Sequence, residues 1–409
     1  MNKPSIGIER LRAFFGLNQS LSGLLFMVIL VGLGEKMAER FLPLYLLALG
    51  AGTQSVGFLN AMDNLLGALY SFPGGALSDR WGAKRALMAF TALAMAGYSL
   101  VILVPAWWAV LAGAVLFISW TAISLPGIMS LVSTAVPKNK RVMGVTLHSF
   151  VRRIPMALGP ILGGALIARY GTVSGVRIAF TAALVLGGLS LFIQWKFIAD
   201  TREHGKSPLH PAESWKRFSP ALRSLLGSDI LIRFAEQIPY AFVVVWIVRV
   251  RGLSAAQFGL LTAIEMVTAM LVYIPVAAMA DRYGKKPFVL MTFVFFTAFP
   301  LSLLFCHSFS AFALAFVLRG LKEFGEPTRK ALIMDLAPED AKASTFGTYY
   351  LIRDVIVSAA ALSSATLWNI SPAVNFLTAF GFGLAGTLLF AAFGKDIPQG
   401  AGTSPLSPK

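Results

Sequence analysis

Twelve long apolar segments with short connections between them dominate the sequence and restrict what the chain can fold into. Each is long enough to cross the roughly 30 Å hydrocarbon core of a bilayer as a helix. Only 13% of the residues are charged, against about 25% in soluble domains, which argues against a soluble enzyme. The sequence therefore predicts an all-α membrane protein with twelve transmembrane helices, here called spans one to twelve. They cover residues 21–49, 54–77, 86–104, 107–134, 142–168, 175–197, 223–250, 255–280, 288–306, 309–335, 343–369 and 372–393.

The connections between the spans alternate between basic and nearly uncharged. On the nearly uncharged side the basic residues are Arg169, Arg249 and Arg251. Because Lys and Arg are enriched on the cytoplasmic side of membrane proteins, both termini are predicted to be cytoplasmic. This distribution also accounts for the net charge of +16, and since the basic residues form no continuous stripe, no nucleic-acid partner is predicted. The basic connections contain Arg80, Lys84, Arg85, Lys138, Lys140, Arg141, Arg282, Lys285 and Lys286.

One long polar stretch, residues 198–222, divides the spans six and six. We predict an N-terminal six-helix bundle over 1–197, a cytoplasmic linker over 198–222 with a short surface helix around Trp215, and a C-terminal bundle over 223–395. The tail, 396–409, is rich in Pro, Gly and Ser and is predicted to be disordered. The N-terminus lacks the pattern of a cleavable signal peptide, so span one is predicted to be retained.

Few residues in this chain are suited to metal or cofactor chemistry. Cys306 is the single cysteine, and the four histidines are scattered, so neither a disulfide nor a metal site is predicted. No nucleotide-binding loop and no nucleophile–base pattern is present, so we expect no cofactor and no enzymatic activity. The short connections favour a multi-pass protein of a bacterial inner (plasma) membrane, acting as a monomer among membrane lipids.

The two halves of the sequence contain the same short motif at the same place. Because six spans separate the copies, the halves have the same topology, which is a parallel repeat about an axis along the membrane normal. Pro126 and Pro137 recur as Pro327 and Pro338, at an offset of 201. At an offset of 202, Asp79, Arg80, Gly82 and Lys84 recur as Asp281, Arg282, Gly284 and Lys286.

The loop between spans two and three has a composition suited to a tight, charged turn. Gly75 and Gly82 permit close helix approach and a sharp turn. Asp79 lies at a helix end, where it can meet the positive N-terminus of another helix. The basic residues of this loop, Arg80, Lys84 and Arg85, can anchor at anionic head groups.

This segment, Gly75 to Arg85, closely resembles the signature loop of the major facilitator superfamily, and the resemblance covers roughly residues 20–395. It implies two six-helix bundles around a central cavity that open alternately to the two sides. It also implies that Asp79, and more weakly Asp281, locks the cytoplasmic side when the protein faces outward. Arg80 and Arg282 would support that latch.

A second motif lies in span five, where residues 159–164 read Gly-Pro-Ile-Leu-Gly-Gly. It resembles the Gly-Pro-x-x-Gly-Gly core of a span-five signature of proton-coupled exporters, but Pro155 stands where that signature has another glycine. The resemblance implies that Gly159, Pro160, Gly163 and Gly164 pack at the domain interface. The alternative is an ordinary packing face of small residues.

Ionisable residues at membrane depth are costly and must be paired, face a cavity or have a function. In span one, Glu35 and Glu39 share a helix ridge, while Lys36 lies with Arg40 on another. Two ionised glutamates one turn apart repel. Either one is protonated or a cation from another helix lies between them, and Arg152 or Arg153 of span five is the candidate. The cluster is interpreted either as a static ion-pair group or as a substrate or proton site.

Later spans contain further charged groups. In span ten, Arg319–Glu323 and Lys322–Glu326 are spaced for pairing within the helix, and Pro327 is expected to bend it. Span seven contributes Asp229, Arg233 and Glu236 at the same kind of spacing. In span eleven, Arg353 is followed by Asp354. Arg353 also lies 201 residues after Arg152 of span five, which predicts that the two arginines lie at the same depth in the membrane, one in each half. As substrate-binding candidates we take Glu35, Arg152, Arg153, Glu236, Glu326, Tyr349 and Arg353.

Asp63 and Glu265 are separated by 202 residues and so occupy equivalent points of spans two and eight. Neither has a basic residue within about a turn on its own helix. A desolvated carboxylate without a partner can carry a proton near neutral pH, so both are proton-coupling candidates, together with Glu35 and Glu39. The alternative is that each pairs with an arginine from elsewhere or lies in a wet vestibule.

The favoured function is secondary active transport of small organic molecules, with protons as the coupling ion and export as the direction. One alternative is proton-coupled uptake of an anionic metabolite, because arginine suits carboxylate or phosphate. Another is a transport-inactive membrane receptor or sensor.

Overall fold

The computed structural model describes residues 19–117, 141–198, 211–338 and 342–395, together with Trp120, Ser124 and Ile128. In this part of the chain the structure consists of α-helices, one π-helical turn (Trp246–Val250) and no strand. The helices are α1 Gln19–Glu39, α2 Leu42–Ala48, α3 Thr53–Trp81, α4 Ala83–Leu103, α5 Trp107–Phe117, α6 Arg141–Tyr170, α7 Thr172–Phe197, α8 Pro211–Lys216, α9 Pro220–Val245, α10 Ala255–Tyr283, α11 Lys286–Phe305, α12 Phe309–Leu321, α13 Glu326–Leu336, α14 Lys342–Ile370 and α15 Pro372–Phe393.

Helices occur at all twelve predicted spans, which confirms the all-α membrane fold. Among the described residues, eight helical segments are individually long and apolar enough to cross a membrane. Spans one and ten are each divided, into α1 and α2 and into α12 and α13. The linker contains the short helix α8, as predicted, and its Trp215 ring lies 5.2 Å from the Phe218 ring.

A proline explains each of the two breaks. Pro43 and Pro327 lack the amide hydrogen that would donate to the carbonyl of Glu39 and of Glu323, respectively. The chain makes a tighter turn at both places: Phe41 donates to the Ala38 carbonyl at 2.9 Å, and Glu326 donates to the Glu323 carbonyl at 3.3 Å. The expected bend at Pro327 is therefore present as a complete interruption of span ten.

The repeat is visible in the two motif loops. Gly82 and Gly284 have φ angles of 83° and 89°, which residues with side chains rarely adopt, so these glycines permit the sharp turns after α3 and α10. Lys84 donates to the Trp195 carbonyl at 2.7 Å, and Lys286 donates to the Ala391 carbonyl at 3.0 Å. Each lysine thus binds the C-terminal end of the last helix in its half, where a cation is favoured.

Other parts of the predicted latch are only partly described. Arg80 and Arg85 are exposed. The surroundings of Gly75 and the side chains of Asp79, Asp281 and Arg282 lie outside the described part, so the latch stays a prediction.

Glycines let the helices of the two halves approach closely. A Cβ atom at Gly164 would overlap the Ala255 carbonyl, and one at Gly259 would overlap the Pro160 carbonyl, so α6 and α10 touch backbone to backbone. On the other side of the bundle, Thr53 donates to the Asn369 side chain at 2.7 Å. These contacts join the first half (spans one to six) to the second (spans seven to twelve) at the end predicted to face outside.

The same motif also packs within the first half. A Cβ atom at Gly159 would lie 2.6 Å from the Lys36 Cβ, and one at Gly163 would overlap the Met37 carbonyl. Gly159 and Gly163 therefore hold α6 against α1, while Pro160 and Gly164 lie at the interface between halves.

We expect Gly163→Ala to lower the thermal unfolding midpoint, because α1 and α6 must separate to admit the methyl group. Overpacking of this kind costs about 1–3 kcal/mol. Gly381→Ala is the matched control, since a Cβ at that helical position meets nothing within 4 Å. Equal midpoints for the two purified variants would contradict the close packing of α1 and α6.

Candidate functional site

A cavity lies between the two halves and is called the central cavity here. Its wall comes from spans one, two, seven, eight and ten, so residues far apart in the chain meet there. The apolar part includes Leu59, Val244 and Phe258. The polar part consists of Glu39, Arg40, Asn60, Asp63, Tyr240 and Arg319.

Asp63 lies in the wall of the central cavity and is partly buried. Among the described residues, no cation lies within ion-pair distance of it. The charges that act on it at longer range are those of Glu39, Lys36, Glu35 and Arg40 in span one. One turn away from Asp63, the Asn60 amide donates to the Gln237 backbone carbonyl of span seven at 2.9 Å, which holds this part of span two against the other half.

Glu265 is fully buried and has two cationic neighbours on span ten, Arg319 at 3.2 Å and Lys322 at 3.4 Å. The expectation that both repeat-related carboxylates lack a partner is therefore wrong for Glu265, and the alternative of pairing with another helix holds. Sequence spacing could not reveal this, because the cations come from a helix about 55 residues away along the chain. Asp63 and Glu265 occupy equivalent positions in unlike electrostatic environments.

The two glutamates of span one are bridged by a lysine of the same helix. The Lys36 ammonium lies 3.1 Å from Glu35 and also pairs with Glu39. The cation in contact with both acids is thus Lys36 of the same helix, whose long side chain reaches them although it starts from a different ridge. The charge of Arg152 in span five also acts on both glutamates. Arg40 instead places its guanidinium 5.0 Å from the Tyr240 ring in the central cavity, a cation–π contact between the halves.

The two ion pairs that the spacing of span ten predicted, Arg319–Glu323 and Lys322–Glu326, do not form. Arg319 pairs with Glu265, and Lys322 pairs with Glu236 at 2.7 Å. Glu323 accepts from Arg153 of span five at 2.9 Å. The expected pairs within the helix fail because the chain turns at residues 322–325, which destroys the i,i+4 geometry between α12 and α13.

Spans seven and ten form an alternating ladder of charge in the second half. The predicted spacing in span seven is confirmed, with Arg233 lying 2.6 Å from Glu236 and 3.8 Å from Asp229. Glu326 lies 3.2 Å from Arg233 and 2.6 Å from Arg329. The substrate-binding candidates Glu236 and Glu326 therefore both form ion pairs with basic side chains of the protein itself.

Asp229 is the fully buried end of this ladder. It pairs with Arg329, accepts from the Tyr349 hydroxyl at 3.1 Å and lies 3.5 Å from Arg353. Arg353 also pairs with Asp354 at 2.6 Å. The structure thus places Tyr349 and Arg353 in a buried structural cluster and away from the central cavity wall.

A second cavity lies inside the first half between spans one, four and five. We call it the Arg152 cavity, since Arg152 faces it and forms no ion pair among the described residues. Glu35 and Lys36 lie at one side of it. The remaining wall is Val28, Gly32, Trp120, Ser124, Ile128, Pro155 and Met156. In the described residues there is no group of His, Cys, Asp and Glu suited to hold a metal.

Two pseudo-symmetric halves that enclose a polar cavity are an arrangement suited to a membrane transporter. The sequence profile of the Major Facilitator Superfamily matches residues 24–248 and again 225–409, so the chain belongs to that superfamily. It is therefore a multi-pass membrane transport protein, as the motif predicted.

Known proteins resemble this chain in sequence and in fold. The chain is 24% identical over 346 residues to the class C tetracycline resistance protein of Escherichia coli, covering 76% of this chain and 81% of that protein. Among solved structures, the fold is similar to a nucleoside transporter, NupG, with a TM-score of 0.78 at 12% identity, covering 92% and 100% of the two chains. A peptide transporter, POT, aligns with a TM-score of 0.76 at 16% identity, covering 93% and 94%.

Proposed function

We propose that this protein exports small organic molecules from a bacterial cell in exchange for protons. The observation that carries the proposal is Asp63, a carboxylate in the central cavity without an ion-pair partner among the described residues. A carboxylate that is partly removed from water and has no fixed cation can alternately hold and release a proton as the cavity changes sides. The likeness to a tetracycline resistance protein supports export of an organic molecule.

The orientation of the protein and the opening of the cavity are inferred from the same arrangement of helices. Contacts such as Thr53–Asn369 close one end of the bundle, and rocking of the halves would break them and open that end. We assign this end to the outside, both termini to the cytoplasm, and the two bundles to residues 1–197 and 223–395 joined by the linker. The small-molecule substrate and protons would share the central cavity in turn.

Uptake of an anionic metabolite together with protons is the second candidate. It is favoured by Arg152, a cavity-facing arginine without a carboxylate within ion-pair distance among the described residues. A transport-inactive receptor has no specific contact in its favour.

Purified protein in liposomes with a pH-sensitive dye inside tests the proposal. A panel of solutes, including tetracycline and simple organic acids, is added with and without an imposed pH gradient. Export predicts that a transported solute and protons move in opposite directions. Movement in the same direction would establish uptake instead, and solute binding without any proton or solute flux would leave only the receptor.

The motif loop gives a separate prediction about conformation. We expect Asp79→Asn to keep the protein folded and inserted but to shift it toward inward-facing states, because the charge–dipole contact predicted from the motif, about 0.3–2 kcal/mol, would be lost. A change of about 1.4 kcal/mol alters a two-state ratio tenfold. Spin labels on the two faces report the populations as distance distributions. Unchanged distributions with normal transport would remove the latch role.

A further inference from the structure

The Arg152 cavity occupies the place that, in the other half, holds the buried charge cluster. The offset of 201 that relates Arg152 to Arg353 also relates the buried Leu24 and Leu25 to the buried Leu225 and Leu226, which fixes the register of spans one and seven. At the same offset, Asp229, Arg233 and Arg329 correspond to Val28, Gly32 and Ile128. These last three all line the cavity.

Both acidic partners of Arg353 are missing around Arg152. Arg353 lies 3.5 Å from Asp229 and 2.6 Å from Asp354. The equivalent positions are Val28 and Arg153, so Arg152 has an apolar residue and a second arginine where its counterpart has two carboxylates. The nearby Glu35 pairs with Lys36, and the charges of Glu35 and Glu39 also act on Arg152. Gly32 and Ile128 are smaller than Arg233 and Arg329 at the equivalent positions, and this loss of side-chain volume opens the cavity.

An arginine at membrane depth without a carboxylate in direct contact is expensive, and such residues often mark substrate pathways. The guanidinium is a planar fork that matches the oxygens of a carboxylate or a phosphate. Around it, the buried Trp120 and Ile128 and the half-buried Met156 supply an apolar wall. The positive charge of Arg152 and the apolar wall beside it together suit an amphiphilic anion.

We propose that the Arg152 cavity binds the acidic group of the transported molecule, which is an amphiphilic organic anion with a carboxylate or phosphate-type head. Arg152 pairs with the head, and the apolar wall around Trp120 contacts the body. This inference rests on the proposed function for the statement that the bound anion is cargo.

The test is a binding measurement on the purified full chain in detergent, which needs no proton gradient. The probes are 6-(dansylamino)hexanoic acid, its phosphonate analogue and its methyl ester, followed by fluorescence anisotropy. We expect the wild type to bind both acids more tightly than the ester. Arg152→Gln should weaken binding of the acids about tenfold or more and leave the ester unchanged. Arg169→Gln, an exposed arginine of the same helix, is the matched control and should change neither.

A second variant keeps the test informative if Arg152→Gln is unstable. Val28→Asp restores the carboxylate that the other half has at Asp229, so it should pair with Arg152 and abolish acid binding while raising stability. Weak wild-type binding of the acids, equal losses for acid and ester, or acid binding that survives Val28→Asp in a folded protein would each overturn the proposal. If acid binding behaves as expected but no proton flux occurs in liposomes, proton-coupled export falls and the anion site stands.

Discussion

Asp229→Asn is expected to lower the free energy of unfolding by about 3–5 kcal/mol, the cost of leaving buried charges without their partner. Asp229 is fully buried and lies against three guanidinium groups, those of Arg329, Arg353 and Arg233. An asparagine has nearly the same shape but carries no charge, so the arginines would repel one another in a region with little water.

The matched control is Asp335→Asn, which removes a carboxylate from an ion pair at a more exposed site. Asp335 pairs with Lys285, and its side chain is 39% exposed. Ion pairs near the surface contribute about 0–1 kcal/mol. Thermal or denaturant unfolding of the two purified variants should therefore differ greatly. A loss at Asp229 no larger than that at Asp335 would contradict a tightly coupled buried cluster.

The sequence alone was enough for the fold, because apolar length, charge alternation between connections and the repeated motif each predict the same architecture. The glycine turns at Gly82 and Gly284 confirm the repeat in the backbone. The breaks in spans one and ten follow from prolines, but their size does not, since a proline can bend a helix without dividing it.

Partners between helices could not be predicted from the sequence. The spacing of Arg319 and Glu323 predicted a pair within span ten, yet the turn there directs them to Glu265 and Arg153, in spans eight and five. Which of two equivalent carboxylates remains unpaired is decided by such contacts. One signal was nonetheless available: at the offset of 201, Val28 replaces Asp229, which marks the first half as short of acidic partners.

Asp63→Asn is expected to abolish accumulation of solute driven by a pH gradient, while exchange of solute for solute continues. Asparagine keeps the shape of the side chain but cannot carry the proton. Exchange requires only the cavity and the rocking of the two halves, so it should remain. Glu265→Gln is the comparison, because Glu265 occupies the repeat-equivalent position but is held by Arg319 and Lys322. Loss of the Glu265 charge should slow driven accumulation and exchange together and leave the ratio between them unchanged.

The most direct test of the account is therefore that ratio, measured in liposomes for the wild type, Asp63→Asn and Glu265→Gln, with the same solute and the same imposed pH gradient. Proton coupling at Asp63 predicts that driven accumulation by Asp63→Asn falls to the leakage of protein-free liposomes, so its ratio to exchange falls as well. Glu265→Gln is predicted to keep the wild-type ratio. Continued concentration of solute against its gradient by Asp63→Asn would contradict it and would move the proton site to Glu35 and Glu39 of span one.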